Sequence, residues 1–322
     1  MTLARVGISL GDPGGIGPEV LCKALPQFAE SNATFKIFCD RFFFERLANR
    51  CLWIRPFLDF AEISGKIEFS EDCTFEWNGL FGREDPLNGL FAFRSLEAAV
   101  DSALSGEITA LVTAPLSKNA VEMATRSGFR GHTEYLRDRT GVEDIVMMLI
   151  AGDFRVVPVT RHIPISEVPS NLNERLIRRS VEIVALAMSR YEHLERPSIG
   201  VLALNPHAGD NGLFGTEEAM IARAVKSFEG ANFEVVGPLV PDIAFIPRFR
   251  TKYDAIVGMF HDQVLIPLKM AGFDHGVNAT LGLPFIRTSP DHGTGFDIAG
   301  ENIADPSSMI EAISLAIRWA DK

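Results

Sequence analysis

Seven continuous apolar runs rich in β-branched residues punctuate the chain: Arg5–Leu10, Phe35–Cys39, Ala110–Thr113, Asp144–Ile150, Val156–Thr160, Ile199–Leu204 and Ala255–Phe260. A run that is apolar throughout, and not at every second position, belongs to a strand covered on both faces. Between the runs lie segments of helical period, among them Asn173–Tyr191, Thr216–Phe228 and Pro306–Asp321, with Asn173, Thr216 and Asp305 as expected caps. Strand alternating with helix predicts a mostly parallel α/β sheet. Five runs end at once in turn or site residues: Gly11-Asp12-Pro13, Ala114-Pro115, Arg161-His162, Asn205-Pro206-His207 and His261-Asp262. Ligands of open α/β sheets bind outside the carboxyl ends of the strands, so these loops are expected to converge on one site.

Length and charge narrow the classes. At roughly 150 residues per domain, 322 residues suggest two lobes with a cleft between them. With 42 acidic against 31 basic residues the net charge is −11, which disfavours nucleic acid and anionic lipid as partners. An anionic substrate would need a local pocket of Lys, Arg or backbone N–H groups. The first ten residues are too short an apolar stretch for a signal sequence, and the longest apolar stretch, near Asp144 to Ala151, is less than half of the ~20 residues of a membrane helix. A soluble, cytoplasmic protein is expected. Cys22, Cys39, Cys51 and Cys73 form no CxxC pair and read as small core residues.

Several constellations carry chemistry. His162, His207 and His261 each follow a predicted strand; they are either three ligands of a divalent metal with an open position or three separate loop histidines. Asp210 and Asp262 would orient imidazoles or serve as caps. The turn from Gly11 to Glu19 is either a tight structural turn or an anion loop with free N–H groups; it matches neither the P-loop nor GxGxxG. Lys118, His132, Thr133, Lys269, Asn278 and Arg287 are the residue types that hold a carboxylate and a phosphoester, although each alone reads equally as a solvated polar group. The stretch from Asp291 to Gly300, with His292, Gly293, Thr294 and Gly295, is a surface turn or a close backbone approach to a ligand.

Six blocks, in order, resemble the 4-hydroxythreonine-4-phosphate dehydrogenase family of pyridoxal phosphate biosynthesis: the Gly11–Glu19 turn, Gly131-His132-Thr133-Glu134, Leu204–Gly209, Met259–Gln263, Gly276–Ser289 and Asp291–Thr294. The first turn and the segment from His292 to Pro306 also resemble the wider isocitrate and isopropylmalate dehydrogenase group, which binds NAD without a Rossmann fold. The resemblance implies two α/β/α lobes of that type with an active-site cleft between them, one of residues 1–128 plus 276–322 on the cofactor side and one of 129–275 on the metal and dimer side.

It further implies a homodimer whose sites are shared across the interface, with His162, His207 and His261 binding one divalent metal (Zn, Mg or Co). His132, Thr133, Lys269, Asn278 and Arg287 would bind the phosphorylated substrate. His292, Gly293, Thr294, Asp297, Ile298, Ala299 and Gly300, with nearby Ile303 and Ala304, would cradle the adenosine side of NAD or NADP. Lys118, Asp242 and Asp262 are the candidates for proton handling. The implied reaction oxidises 4-phospho-hydroxy-L-threonine to a 3-keto acid that loses CO₂ to give 3-amino-2-oxopropyl phosphate. The rivals are a paralogue acting on D-threonate or D-erythronate 4-phosphate or on a cis-dihydrodiol and, more distantly, a phosphotransacetylase-like acyltransferase. Pro290 and Gly295 stand where many relatives have Val and Ala, and the Phe-rich stretch from about Ala33 to Phe93 carries little family signature.

Overall fold

A computed structural model describes residues 3–70, 73–74, 77–272 and 275–321. It contains the strands β1 (Ala4–Ser9), β2 (Ala33–Phe38), β3 (Ile67–Phe69), β4 (Ala110–Thr113), β5 (Val146–Ala151), β6 (Phe154–Thr160), β7 (Ser198–Leu202), β8 (Glu234–Leu239), β9 (Ala255–Phe260), β10 (Val277–Leu281) and β11 (Ile286–Pro290). The chain divides into two compact units, Met1–Val142 with Leu283–Lys322, and Glu143–Gly282. The sequence expectation had put the divisions near 128 and 276.

In the first unit the strand order is β3-β2-β1-β4-β11, with every pair parallel. β4 is buried along its whole length and β1 at every position but Arg5; the helix Ser307–Ala320 packs on β11, β1 and β4. The Phe-rich stretch is this unit's outer core. Phe44 meets Phe57 at 5.0 Å and Phe69 at 5.5 Å, and Phe43 stacks on Phe91 at 6.1 Å, geometries worth about 0.5–1.5 kcal/mol per pair beyond their burial. All four cysteines are free and buried, as expected.

In the second unit the order is β10-β5-β6-β9-β7-β8. β5 runs antiparallel to β10 and β6, and the rest are parallel. The helix His261–Gly272 buries Val264, Leu265 and Leu268 against Met147, Leu149, Phe154, Val156 and Ile256. Each such apolar side chain contributes about 1.5–3 kcal/mol, so the helix start, where His261 sits, is rigidly placed. Asn173 caps the helix Glu174–Tyr191 by accepting from Leu176 N at 2.9 Å. Thr216 holds the expected N-cap position of Glu217–Lys226, yet its side chain makes no cap bond. Asp305 accepts from Ser307 N at 2.9 Å, but the N-cap position belongs to Pro306. Among the described residues no helix is long and apolar enough to cross a membrane.

Candidate active site

Three histidines of the second unit, His162, His207 and His261, follow strand ends. Thr160 pairs in register with Phe260, and its hydroxyl donates to Met259 O at 2.7 Å, so the residues that follow, His162 and His261, leave β6 and β9 side by side. Their rings lie 5.9 Å apart. Both line a cavity of about 170 Å³ with Thr160, Phe260 and Asp262. His261 Nδ1 meets Asp262 Oδ1 at 2.6 Å. That carboxylate contact orients an imidazole and leaves its Nε2 for a ligand, as around metal-bound histidines.

His207 stands exposed beyond the end of β7, in a run of five left-handed residues: His207 (φ 53°), Ala208 (54°), Gly209 (74°), Asp210 (42°) and Asn211 (57°). His162 is left-handed too, at φ 49°. Non-glycine residues enter this region at a cost of about 1–3 kcal/mol, and such conformations concentrate at functional loops. Glu218 over-determines the loop: its Oε1 accepts from Asn205 N at 2.8 Å and its Oε2 from Asn205 Nδ2 at 3.0 Å. A Cβ on Gly209 would come within 2.7 Å of that Oε2. Gln263 braces the neighbouring turn, accepting from Met259 N at 2.7 Å and donating to Ala203 O at 2.8 Å. Among the described residues, no group of three His, Cys, Asp or Glu side chains is gathered as a metal site within one chain. Asp242 is exposed in the turn Pro241–Ala244 after β8. Lys269 lines a pocket of about 510 Å³ with His261 and Asp262, and Asn278, on β10, has a buried Oδ1 with no hydrogen-bond partner.

The first unit gathers the other polar candidates. His132 opens the helix His132–Thr140, and Thr133 follows it. The Nε2 of His132 is buried without a hydrogen-bond partner, and burial, reinforced by the charges of Arg287 and Lys118, holds the imidazole well below its usual pKa. Neutral His132 can therefore accept or donate one hydrogen bond to an incoming group. Arg287, on β11, is 3% exposed, and its Nη2 donates to Thr113 Oγ1 at 2.6 Å. Burial lowers its pKa to about 10, so it stays cationic at neutral pH. A Cβ on Gly131 would meet Lys118 Cε at 2.8 Å, which places the lysine stem against the His132 turn.

The first turn proves structural. Gly14 N donates to Asp12 Oδ1 at 2.9 Å, Gly15 N to Asp12 O at 3.1 Å and Ile16 N to Thr294 O at 2.8 Å. These three amides are spent within the protein. The turn's work is to seat the His292–Gly300 stretch: a Cβ on Gly15 would lie 2.6 Å from Thr294 O, and left-handed Gly295 (φ 53°) packs against Ile16. Glu19 and Lys23, which sequence reasoning left unassigned, extend the clasp. Glu19 Oε1 accepts from Ala304 N at 2.8 Å and from Lys23 Nζ at 2.7 Å, and the lysine also donates to Ala304 O at 2.9 Å. His292 keeps a buried, unpartnered Nε2. Asp297 and Ile303 are exposed, while Ile298 and Ala299 are half-buried.

Asp12 is the other residue the sequence left silent. It is fully buried, and desolvation, opposed by the Gly14 N–H and aided by Asp85 and Glu84, lifts its pKa to about 6. The Gly-Asp-Pro spelling signalled a turn but not that the carboxyl faces inward.

Comparison with known proteins fixes the family. The family model of the pyridoxal phosphate biosynthetic protein PdxA matches residues 37–316. The chain belongs to the PdxA family. This PdxA-family chain is 40% identical over 318 residues to the 4-hydroxythreonine-4-phosphate dehydrogenase of Ruegeria sp. (strain TM1040), covering 97% of the chain and 95% of the relative. It is similar to the crystal structure of 4-hydroxythreonine-4-phosphate dehydrogenase from Klebsiella pneumoniae, with a TM-score of 0.85, 35% identity and coverage of 99% and 100%. A terephthalate 1,2-cis-dihydrodiol dehydrogenase from Burkholderia xenovorans LB400 is more remote, at TM-score 0.68 and 26% identity, covering 98% of each chain.

Proposed function

We propose that this PdxA-family chain oxidises 4-phospho-hydroxy-L-threonine with NAD or NADP and a divalent metal, yielding a 3-keto acid that decarboxylates to 3-amino-2-oxopropyl phosphate in pyridoxal 5′-phosphate biosynthesis. It would do so as a cytoplasmic homodimer. The observation that carries the reading is 40% identity, over 97% of the chain, to a protein named for that dehydrogenation. The same reasoning ranks the cis-dihydrodiol substrate lower, at 26% identity. It gives no support to a sugar-acid phosphate or to acyl transfer.

The residues fit the groups this reaction needs. His261, oriented by Asp262, and the adjacent His162 suit a divalent cation, with His207 as the third ligand. The buried, unpartnered Nε2 of His292 and the close approach of Gly15 to Thr294 suit a nucleotide on the His292–Gly300 stretch. Bound there, the metal would polarise the reacting hydroxyl and the nicotinamide would take up hydride.

The chain's own groups do the rest. Arg287 brings a desolvated, fixed positive charge to the substrate phosphate, a contact strengthened by its dry surroundings. Neutral His132 and Thr133 are assigned to the same substrate in the first unit, and Lys269 and Asn278 are assigned to it in the second; contacts far from the reacting carbon would orient it. Lys118, Asp242 and Asp262 are assigned to moving the hydroxyl and decarboxylation protons. The test is NADH or NADPH formation from 4-phospho-hydroxy-L-threonine, D-threonate 4-phosphate, D-erythronate 4-phosphate and a cis-dihydrodiol at equal concentration, with and without chelator. Preference for either sugar-acid phosphate or for the dihydrodiol, or activity indifferent to both the chelator and His207→Ala, would overturn the proposal.

A further inference from the structure

We infer that Arg50 is a specificity residue for the cofactor, reading the 2′-phosphate that distinguishes NADP from NAD. The inference rests on the reading of the His292–Gly300 stretch as the cradle for the adenosine side. It starts from a contact that reading does not use. Gly300 is left-handed (φ 85°), and a Cβ there would lie 2.9 Å from the Phe81 ring; a Cβ on Gly82 would lie 3.0 Å from Phe296 O. Gly82 N also donates to Gly14 O at 2.9 Å. The segment from Trp77 to Gly82 is therefore the outer wall of the stretch.

Arg50 is built onto that wall. Its guanidinium lies 5.4 Å from the Trp77 ring centre and 5.9 Å from that of Phe81, and those rings pack edge-on at 4.9 Å. One of its N–H groups donates to Gly79 O. Gly79 is left-handed (φ 78°), and a Cβ there would come within 2.5 Å of Arg50 Nη1, so the backbone leaves a berth for this side chain. Two rings and a carbonyl fix the guanidinium, yet the residue stays exposed and keeps donors for an outside oxyanion.

The charge pattern gives the fixed cation a purpose. The stretch itself offers Asp291, Asp297 and, just beyond, Glu301, which repel phosphate. The nearby Lys23 is spent on Glu19, Asn302 O and Ala304 O. A 2′-phosphate bound here needs a cation brought from outside the stretch, and the forked guanidinium matches a phosphate better than an ammonium does. Arg83, exposed beside Gly82, is the alternative cation and serves as the comparison.

The test is calorimetric titration of the whole protein with NADP⁺, NAD⁺, 2′,5′-ADP and 5′-AMP, comparing wild type with Arg50→Gln, Arg50→Lys and Arg83→Gln. Loss of one charge-assisted phosphate contact predicts that Arg50→Gln weakens NADP⁺ and 2′,5′-ADP about tenfold or more, leaves NAD⁺ and 5′-AMP within about twofold, and is partly rescued by Arg50→Lys. Equal weakening of NAD⁺ and NADP⁺, no change in either, or the selective loss appearing in Arg83→Gln would each overturn the assignment to Arg50 while leaving the cradle in place. A wild-type protein that binds none of the four nucleotides would overturn the cradle itself, and the assignment with it.

Discussion

Replacing Asp12 by Asn should make the first unit more stable at neutral pH and leave it almost unchanged in acid. The Asp12 side chain is fully buried in the first turn, where Oδ1 accepts from Gly14 N at 2.9 Å and Oδ2 has no partner. Its pKa stands at about 6 in the fold against an ordinary 3.8, with desolvation the main cause. A carboxyl with a raised folded pKa is happiest protonated in the native state, so its stabilising contribution is fully present below 3.8 and is lost as pH climbs to about 6. At about 1.4 kcal/mol per tenfold change, the wild type forfeits about 3 kcal/mol above that window. Asn keeps an acceptor for Gly14 N–H and never ionises. The three tryptophans, Trp53, Trp77 and Trp319, all lie in the first unit, so intrinsic fluorescence follows its unfolding. Urea titrations at pH 4.5, 6 and 8 should show the variant gaining on the wild type through that range, then levelling. A difference that stays flat with pH, or that shrinks as pH rises, would refute the claim that Asp12 is a desolvated acid.

Three further substitutions address other links. Asp262→Asn should weaken divalent-metal affinity about 10–100-fold by loosening the His261 imidazole, read by titrating metal into the apo protein; unchanged affinity would free His261 of its proposed orienting partner. Asn173→Ala should cost about 1 kcal/mol, because Asn173 Oδ1 accepts from Leu176 N at 2.9 Å; Thr216→Ala should cost little, since that side chain makes no cap bond. Denaturation midpoints of the pair separate a working cap from a nominal one, and equal losses would contradict the difference.

How much of this was readable in the sequence depends on what each position buries. Strands that are apolar along nearly their whole length, such as Ala110–Thr113 and Ala255–Phe260, have the boundaries expected from hydrophobic continuity. β11 escapes that reading because it buries Arg287, Thr288 and Ser289, at 3%, 0% and 6% exposure. A strand whose interior is polar gives no periodic signal, and its residues are met first as candidate ligands. β8 is half-buried along most of its length, and β3 has only three residues, too short to stand above the noise.

The site divides along the same line. The strand-end positions of His162, His207 and His261 are legible because topology alone puts them at one edge of a sheet. Their backbone state is not: φ is above zero at both His162 and His207, and at His207 the loop is braced by Glu218 and Asn205. Acidic residues were hardest to read. Asp12, Glu19 and Glu218 look like surface charge in a chain of net charge −11, yet Asp12 and Glu19 are at most 1% exposed, and all three accept backbone N–H groups that fix the turns around the site. Their number inflates the average negative charge, while their bonds are local and do not project into the pocket. The positive character near His132 therefore comes from Lys118 and Arg287, whose charges, added to burial, help hold that imidazole neutral.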